Sequence, residues 1–467
     1  IILFLTTFLS NAQIMFQKHY GGSGDEYGST CLQTGDGGYI MTGSTDSYGL
    51  GGNDIYIIRT NEYGDTLWTK TYGGTGYDVS TDIIQTNDGS FAILGITNSF
   101  GAGNLDCYLI KINQNGDTVW TKTYGNTGSE SGYCIIETTD NGFLISGESS
   151  SFGPVSGSIY IIRTNALGDT LWTNYYYKQD FNTGFDIIQS IDGNFIIGVT
   201  LSNTVTTHDF MLLKIDNLGD TIWTKVYDKG GDDWLASLVE LSNGDIVVSG
   251  NTNSIGYGGD DSFMARYNST GDEIWFKTYG GIDDDYGRQI IITTDSGLVV
   301  SGGTTTSFGS GFEVFLFKTN LSGDTLWTKT YGGSGDDYGG YINQTTDGGF
   351  ITAGSTHSFG NGREYYLIKT NSSGYAGIEQ IEIEDNAITI FPNPNDGVFT
   401  ILKNSNILSS PVLNIFDQSG HLLLSKEILL EGTHNKNIDL SYLKAGEYFL
   451  IFNERNTIIS KKLIINK

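Results

Sequence analysis

Six tryptophans set the architecture of this chain. Trp68, Trp120, Trp172, Trp223, Trp275 and Trp327 are separated by 52, 52, 51, 52 and 52 residues, and Phe16 lies 52 residues before the first. Seven units result, with a period of about 50 residues that suits propeller blades, whereas solenoid coils are usually much shorter. Glycine at 65 residues, proline at only 4 and aromatics at 13% fit short strands joined by glycine turns.

Each unit reads as four strands. In the first unit these are residues 28–34, 39–45, 54–59 and 65–72, with a glycine-rich loop between the second and third. Asn61 and Gly64 bound the last turn, and Asn/Asp-x-x-Gly recurs there in all seven units. This is the chemistry of a type I turn closed by a glycine bulge, because glycine takes positive φ at little cost. Strand phase then sets the topology. The last unit, ending at residues 365–369, lacks a fourth strand, and the first fourth-type strand, residues 16–20, has no set before it. The expected fold is therefore all-β: a seven-bladed β-propeller over 13–374 whose N-terminal strand completes the last blade, since closure leaves no open face between blades. An open β-array is the alternative.

Within a fourth strand, Trp68, Lys70 and Tyr72 share one face, which makes Phe16 and the six tryptophans blade-packing residues. Third strands each carry a base (Arg59, Lys111, Arg163, Lys214, Arg266, Lys318, Lys369), and fourth strands carry Lys18, Lys70, Lys122, Lys225, Lys277 and Lys329. Such regular bases read as internal partners for repeated acids. Third strands open with Asp54, Asp106, Asp209, Asp261, Glu313 and Glu364, departing only at Ser158. A second set of acids lies ten residues after each tryptophan or Phe16, in the loop before the next unit: Glu26, Asp78, Glu130, Asn182, Asp233, Asp285 and Asp337. Placed near one channel mouth, these groups would repel unless compensated. Three readings compete: hydrogen bonds to loop amides of the next blade or pairing with the repeated bases, calcium held with loop carbonyls, and a cationic ligand. Asn182 favours the first, because an amide keeps the hydrogen bond and loses the charge.

A net charge of −28 argues against nucleic acid or an anionic membrane as partner. Cys31, Cys107 and Cys134 form no C-x-x-C pair and read as small strand residues, with neither disulfide framework nor zinc site. Residues 1–12 read as a truncated signal peptide, an apolar run ending in Ser10-Asn11-Ala12, and no later stretch is long and apolar enough to span a bilayer. The five histidines fall in unrelated places, and no H-E-x-x-H, G-x-S-x-G or P-loop motif is present, so no catalytic residues are assigned. The repeated loop aromatics Tyr48, Phe100, Phe152, Phe308 and Phe359 either stack on ligands or seal gaps between blades.

The 52-residue register ends after Gly374, residues 375–387 form an acidic linker, and residues 388–467 read as six or seven strands of a small Ig-like β-sandwich. This last segment carries Phe391-Pro392-Asn393-Pro394 with Gly397, Asp417 with Gly420, Asp439-Leu440-Ser441 with Gly446 and Tyr448, and Lys462 near the terminal Lys467. In that order these stretches resemble the type A C-terminal sorting domain of the type IX secretion system, with His421 where the family usually has a base. The resemblance implies export across the outer membrane of a diderm bacterium, with the secretion machinery as partner and the cargo extracellular or surface-tethered. The combined expectation is a secreted, non-enzymatic propeller, a ligand-binding or adhesin-like module for a glycan or surface polymer. It needs no cofactor unless the calcium reading holds. A structural scaffold and, further off, an extracellular hydrolase are the alternatives.

Overall fold

The computed structural model describes residues 13–153, 157–178, 181–202, 207–305, 311–360, 362–376, 388–403, 412–417, 422–428, 435–454 and 457–467. Residues 1–12, read above as a signal peptide, and most of the expected linker lie outside them. The chain divides into two compact units, 1–377 and 378–467.

The N-terminal unit holds seven four-stranded antiparallel sheets in propeller-like succession. The first sheet runs Glu26–Gln33, Tyr39–Thr45, Asp54–Thr60 and Thr66–Tyr72 in spatial order. The next five repeat that order, and the seventh joins Asp337–Gln344, Phe350–Thr356 and Glu364–Thr370 to the N-terminal strand Phe16–Tyr20. Phe16 pairs with Lys369 and Tyr20 with Tyr365 in antiparallel register. The first inner strand starts two residues earlier than the glycine pattern suggests, at Glu26 rather than Gly28.

Burial follows from this stacking. The third strands Asp54–Thr60, Asp106–Ile112, Ser158–Thr164 and Glu364–Thr370 are buried throughout, whereas the fourth strands alternate between exposed and half-buried positions. Apolar clusters straddle neighbouring sheets: Ile55 and Ile57 of the first pack with Ile93 and Ile110 of the second. Cys31, Met41 and Tyr56 of the first pack with Phe16, Ile351 and Leu367 of the seventh. Burying each such side chain stabilises the unit by about 1.5–3 kcal/mol.

A polar seam repeats on the outside of each junction. The Asn61–Asp65 turn is held by Asn61 Oδ1 accepting from Tyr63 N and Asp65 N, with Gly64 at φ 78°. A Cβ at Gly116, the matching glycine of the next sheet, would lie 3.0 Å from the Trp68 ring, so glycine permits both the turn and the close tryptophan contact. Beside it Tyr72 Oη donates to Gly116 O at 2.5 Å and Lys70 pairs with Asp117 at 3.0 Å. The same pair of contacts closes the last junction, Tyr20 Oη to Gly64 O at 2.6 Å and Lys18 to Asp65 at 2.5 Å.

The C-terminal unit has two sheets, one of Ile388–Phe391, Val398–Lys403 and Asn435–Asp439, the other of Leu422–Glu427, Val412–Asp417, Gly446–Glu454 and Thr457–Ile465. Ile388, Phe399 and Ile401 of the first share one core with Leu413, Ile415, Leu450 and Leu463 of the second, the arrangement of a sandwich.

Candidate functional site

The six repeated acids and Asn182 open the inner strands rather than lying in the loops before them; the acids occupy the first strand position and Asn182 the second of Phe181–Gln189. They begin the ladder because their backbone N–H groups are taken, as when Glu26 N donates to Arg363 O and Asp78 N to Asn53 O. All seven side chains are buried. Each accepts from an amide four residues upstream in its own connecting loop, not from the next blade: Gly22 N for Glu26, Gly74 N for Asp78, Asn126 N for Glu130, Lys178 N for Asn182, Lys229 N for Asp233, Gly281 N for Asp285 and Gly333 N for Asp337. Hydroxyls of the adjoining strand add a second donor, as Thr45 does for Glu26 and Ser149 for Glu130.

The repeated bases go elsewhere. Third-strand bases pair with the acid of the turn between the first two strands of their own sheet, Arg59 with Asp36 at 2.5 Å and Lys111 with Asp88 at 2.7 Å. The acids that open the third strands face the inner-strand acids of the next sheet. Asp54 is raised above its ordinary value by burial and further by the charge of Asp78. At the one junction where the third strand opens with Ser158, the facing residue is Asn182, so both charges are missing together. Asp209, Asp228 and Asp233 have carboxylate oxygens within 4.8 Å of one another.

The inner strands also build a cavity of about 640 Å³ lined by residues of all seven sheets. Each inner strand carries one irregularity of register, after Gly28, Ser80, Gly132, Gly184, Leu235, Gly287 and Gly339. The residue left out of the ladder is Ser29, Thr81, Tyr133, Phe185, Ala236 and Arg288 in turn, and in the seventh strand Gly340 together with Tyr341. A bulge re-aims its unpaired residue, and here each sheet sends one such residue into the cavity wall. These positions break the repeat. Tyr133 and Phe185 stack at 5.5 Å, Ser29 and Thr81 donate to Ser80 O and Gly132 O, and Arg288 is the one base in the lining.

Behind the bulges, side chains tie neighbouring inner strands together. Asp82 accepts from Ile83 N and Ile135 N, Asp186 from Ile187 N and Leu238 N, and Gln289 from Ile342 N; Cys134 Sγ donates to Asp186. Burial pushes the Asp82 carboxyl up to about 7, against the two backbone donors that pull it down. Cys31, Cys107 and Cys134 are free and buried.

One mouth of the cavity is aromatic along half its rim. His208 stacks on Trp234 at 3.7 Å, Phe312 lies between Tyr286 and Tyr338 at 5.8 and 5.2 Å, and the Arg363 guanidinium lies between Tyr338 and Tyr27 at 5.1 and 4.5 Å. Trp234 and Tyr286 belong to both rim and cavity. Across the ring the positions matching Tyr27 and Trp234 are Val79, Ser131 and Thr183. Composition pointed instead to the glycine-loop aromatics. Of these Tyr48, Phe100, Phe152 and Phe359 each pack on a third-strand tyrosine, at 5.3, 5.5, 5.3 and 5.6 Å, and Phe308 lies outside the described residues. The signal that finds the rim is the residue directly after each repeated acid, aromatic in four of seven units.

In the C-terminal unit the motif residues gather where residues 392–397 join Ile388–Phe391 to Val398–Lys403 within one sheet and hydrogen-bond to the last strand of the other. Asn393 Nδ2 donates to Lys462 O at 2.7 Å and Asn393 Oδ1 accepts from Ile464 N at 2.8 Å, while Pro392 O accepts from Asn395 Nδ2. Both Pro392 and Pro394 follow cis peptide bonds. Gly397, at φ 106°, lies so close to Ser441 that a Cβ would sit 2.7 Å from its Cα, and Gly397 O accepts from Leu440 N. Asp439 caps Ser441 N at 2.9 Å, Lys467 Nζ donates to Ser441 O, Tyr448 Oη donates to Lys444 O, and Lys462 pairs with Glu447 at 2.7 Å. Gly446 begins its strand and Asp417 ends one; Gly420 and His421 lie outside the described residues. Residues 389–466 match the family model of the secretion system C-terminal sorting domain. The C-terminal unit is a type IX sorting domain.

A sorting domain implies dealings with the type IX secretion machinery and export of what it is attached to. For the repeat unit, the chain is 25% identical to regulatory protein FlaEY of Caulobacter vibrioides over 208 residues, 39% of this chain and 21% of that protein, so it spans about a fifth of that relative's length. Similar solved structures include the Pan2 WD40 domain of Neurospora crassa, at 10% identity and TM-score 0.47 over 77% of this chain and 95% of that one. Drosophila Plexin A in complex with Semaphorin 1b is similar at 7% identity and TM-score 0.47, over 77% and 87%. Among the described residues no helix is long and apolar enough to cross a membrane.

Proposed function

We propose that this chain is an exported, non-enzymatic binding protein, in which a seven-bladed propeller presents a ligand cavity and an Ig-like sorting domain delivers it to the cell surface or beyond. The observation that carries the reading is the contrast in the repeat: seams and cores recur from sheet to sheet, whereas the seven bulge positions hold serine, threonine, tyrosine, phenylalanine, alanine, arginine and a glycine–tyrosine pair. A purely structural ring has no need for six residue types at seven equivalent places. Aromatic platforms with a few placed polar groups are the usual make-up of a small-ligand site. The non-enzymatic reading is supported by the carboxylates behind the bulges, Asp82 and Asp186, which spend their oxygens on backbone N–H groups, and leaves Asp260 as the carboxylate of the lining itself.

The test is a screen of the full chain against glycans and bacterial surface polymers, repeated with Tyr133→Ala and Phe185→Ala. Saturable binding lost in both variants supports the cavity. No binding across the screen returns the unit to the scaffold reading. Removing residues 388–467 is expected to leave the protein in the periplasm.

A further inference from the structure

Arg288 is not one of the repeated strand bases. The third-strand bases are matched to turn acids, as Lys318 is to Asp295 at 2.6 Å and Lys369 to Asp347 at 2.9 Å. Most fourth-strand lysines are matched to an aspartate of the neighbouring sheet. The Arg288 guanidinium has neither ion pair nor hydrogen bond among the described residues, although the chain carries 53 acids against 25 lysines and arginines. It projects from a bulge, so it supports no ladder pair, and it is exposed within the cavity wall. An unpaired guanidinium is a poor choice for stability and a good one for recognition, because its planar fork matches a carboxylate with two parallel hydrogen bonds.

The rest of the wall narrows the anion. Aromatic rings come from five sheets of the lining, Tyr133 and Phe185 as a stacked pair, Trp234 and Tyr286 at the mouth, and Tyr341 beside them in the wall. Flat aromatic faces suit the apolar faces of sugar rings and provide large contact at low entropic cost. Between them are hydroxyl and amide groups, Asn251 and Gln289 with Ser29 and Thr81, which suit ring hydroxyls. A phosphate-rich polymer is disfavoured: one arginine in a protein of net charge −28 cannot offset a line of phosphates.

We propose that the cavity binds an acidic saccharide, a uronic-acid unit whose carboxylate is held by Arg288 while its ring lies against the aromatic wall. The proposal rests on the cavity being a ligand site. It is tested on the full chain by calorimetry with three probes: trigalacturonate, its methyl ester, which keeps the ring and removes the charge, and a short polyglutamate peptide. Expected is binding of trigalacturonate that weakens several-fold when salt is raised, at least tenfold weaker binding of the ester, and no binding of the peptide. Arg288→Gln should lower trigalacturonate affinity at least tenfold and leave the melting temperature unchanged, because the side chain supports no fold contact. Arg288→Lys should recover part of the affinity.

Equal binding of ester and acid, or no effect of Arg288→Gln, overturns the acidic-saccharide proposal while leaving the ligand cavity standing. Binding of the peptide in place of the saccharide overturns it in favour of an acidic protein partner. If no probe binds and the wider glycan screen is also empty, the cavity reading itself falls.

Discussion

The outer seams and the cavity wall are built from the same repeat and treat it in opposite ways. At the seams, tyrosine to glycine carbonyl and lysine to aspartate recur from Tyr20 and Lys18 onward, and the third sheet, which has Asn174 for lysine, still donates to Gly219 O at 3.1 Å. At the wall no two neighbouring sheets present the same side chain. The difference follows from backbone. A seam residue is in register on both sides, so a change there costs two sheets, whereas a bulge residue has no ladder partner and is free to vary.

Four experiments bear on that contrast, in descending order of effect. Deleting residues 13–20 removes the strand that completes the seventh sheet, with buried Phe16 and two seam contacts, and should cost on the order of 5 kcal/mol. A truncated chain that melts with the intact one means the closing pair does not hold the ring. The second concerns pH. Asp82 sits near 4 when unfolded and is pushed up to about 7 by burial when folded. The folded chain therefore holds the proton more tightly. That contribution is complete below about pH 4 and is lost as pH rises through about 7. A melting temperature that falls between pH 5 and 8 is expected, with the slope removed in Asp82→Ala. Asp140, held down to about 2 first by the Thr138 hydroxyl and then by Arg163, acts only below that window.

Third, Asp337→Ala strips the acceptor from Gly333 N and the Thr356 and Ser358 hydroxyls and should destabilise by about 1–3 kcal/mol in chemical denaturation. Removing calcium with a chelator should change the melting temperature little, because the Asp337 oxygens are already used by the protein. A large chelator-dependent fall would make the acids a metal site. Fourth and smallest, Phe185→Ala at the half-buried wall should cost less than about 1 kcal/mol of stability, far below a core phenylalanine at about 3–5 kcal/mol. A core-sized loss there would erase the distinction between wall and seam.

The phase of the strands was legible because it depends only on counting: one unmatched fourth strand at the start and one missing at the end. The Asn61–Gly64 turn was legible for a local reason, since positive φ at Gly64 is written into the residue type. The sorting domain is readable from motifs that are mostly turn and connection residues, Asn393 and Gly397 among them. What the residues do not announce is register. Glu26 reads as loop because glycines surround it, and it enters the strand only through a hydrogen bond to Arg363, 337 residues away in sequence and adjacent in the ring. The bulge at Arg288 is invisible for the same reason: one extra residue in an eight-residue strand alters no period.

Seven interchangeable positions, each on a separate sheet and none bearing a ladder pair, amount to an address that can be rewritten without rebuilding the house. A designer could vary Ser29, Thr81, Tyr133, Phe185, Ala236, Arg288 and Tyr341 together as one combinatorial library, leaving the remainder of the chain untouched. Gene duplication of a 52-residue module would offer evolution the same freedom, with specificity drifting at one codon per copy while the packing codons stay under constraint.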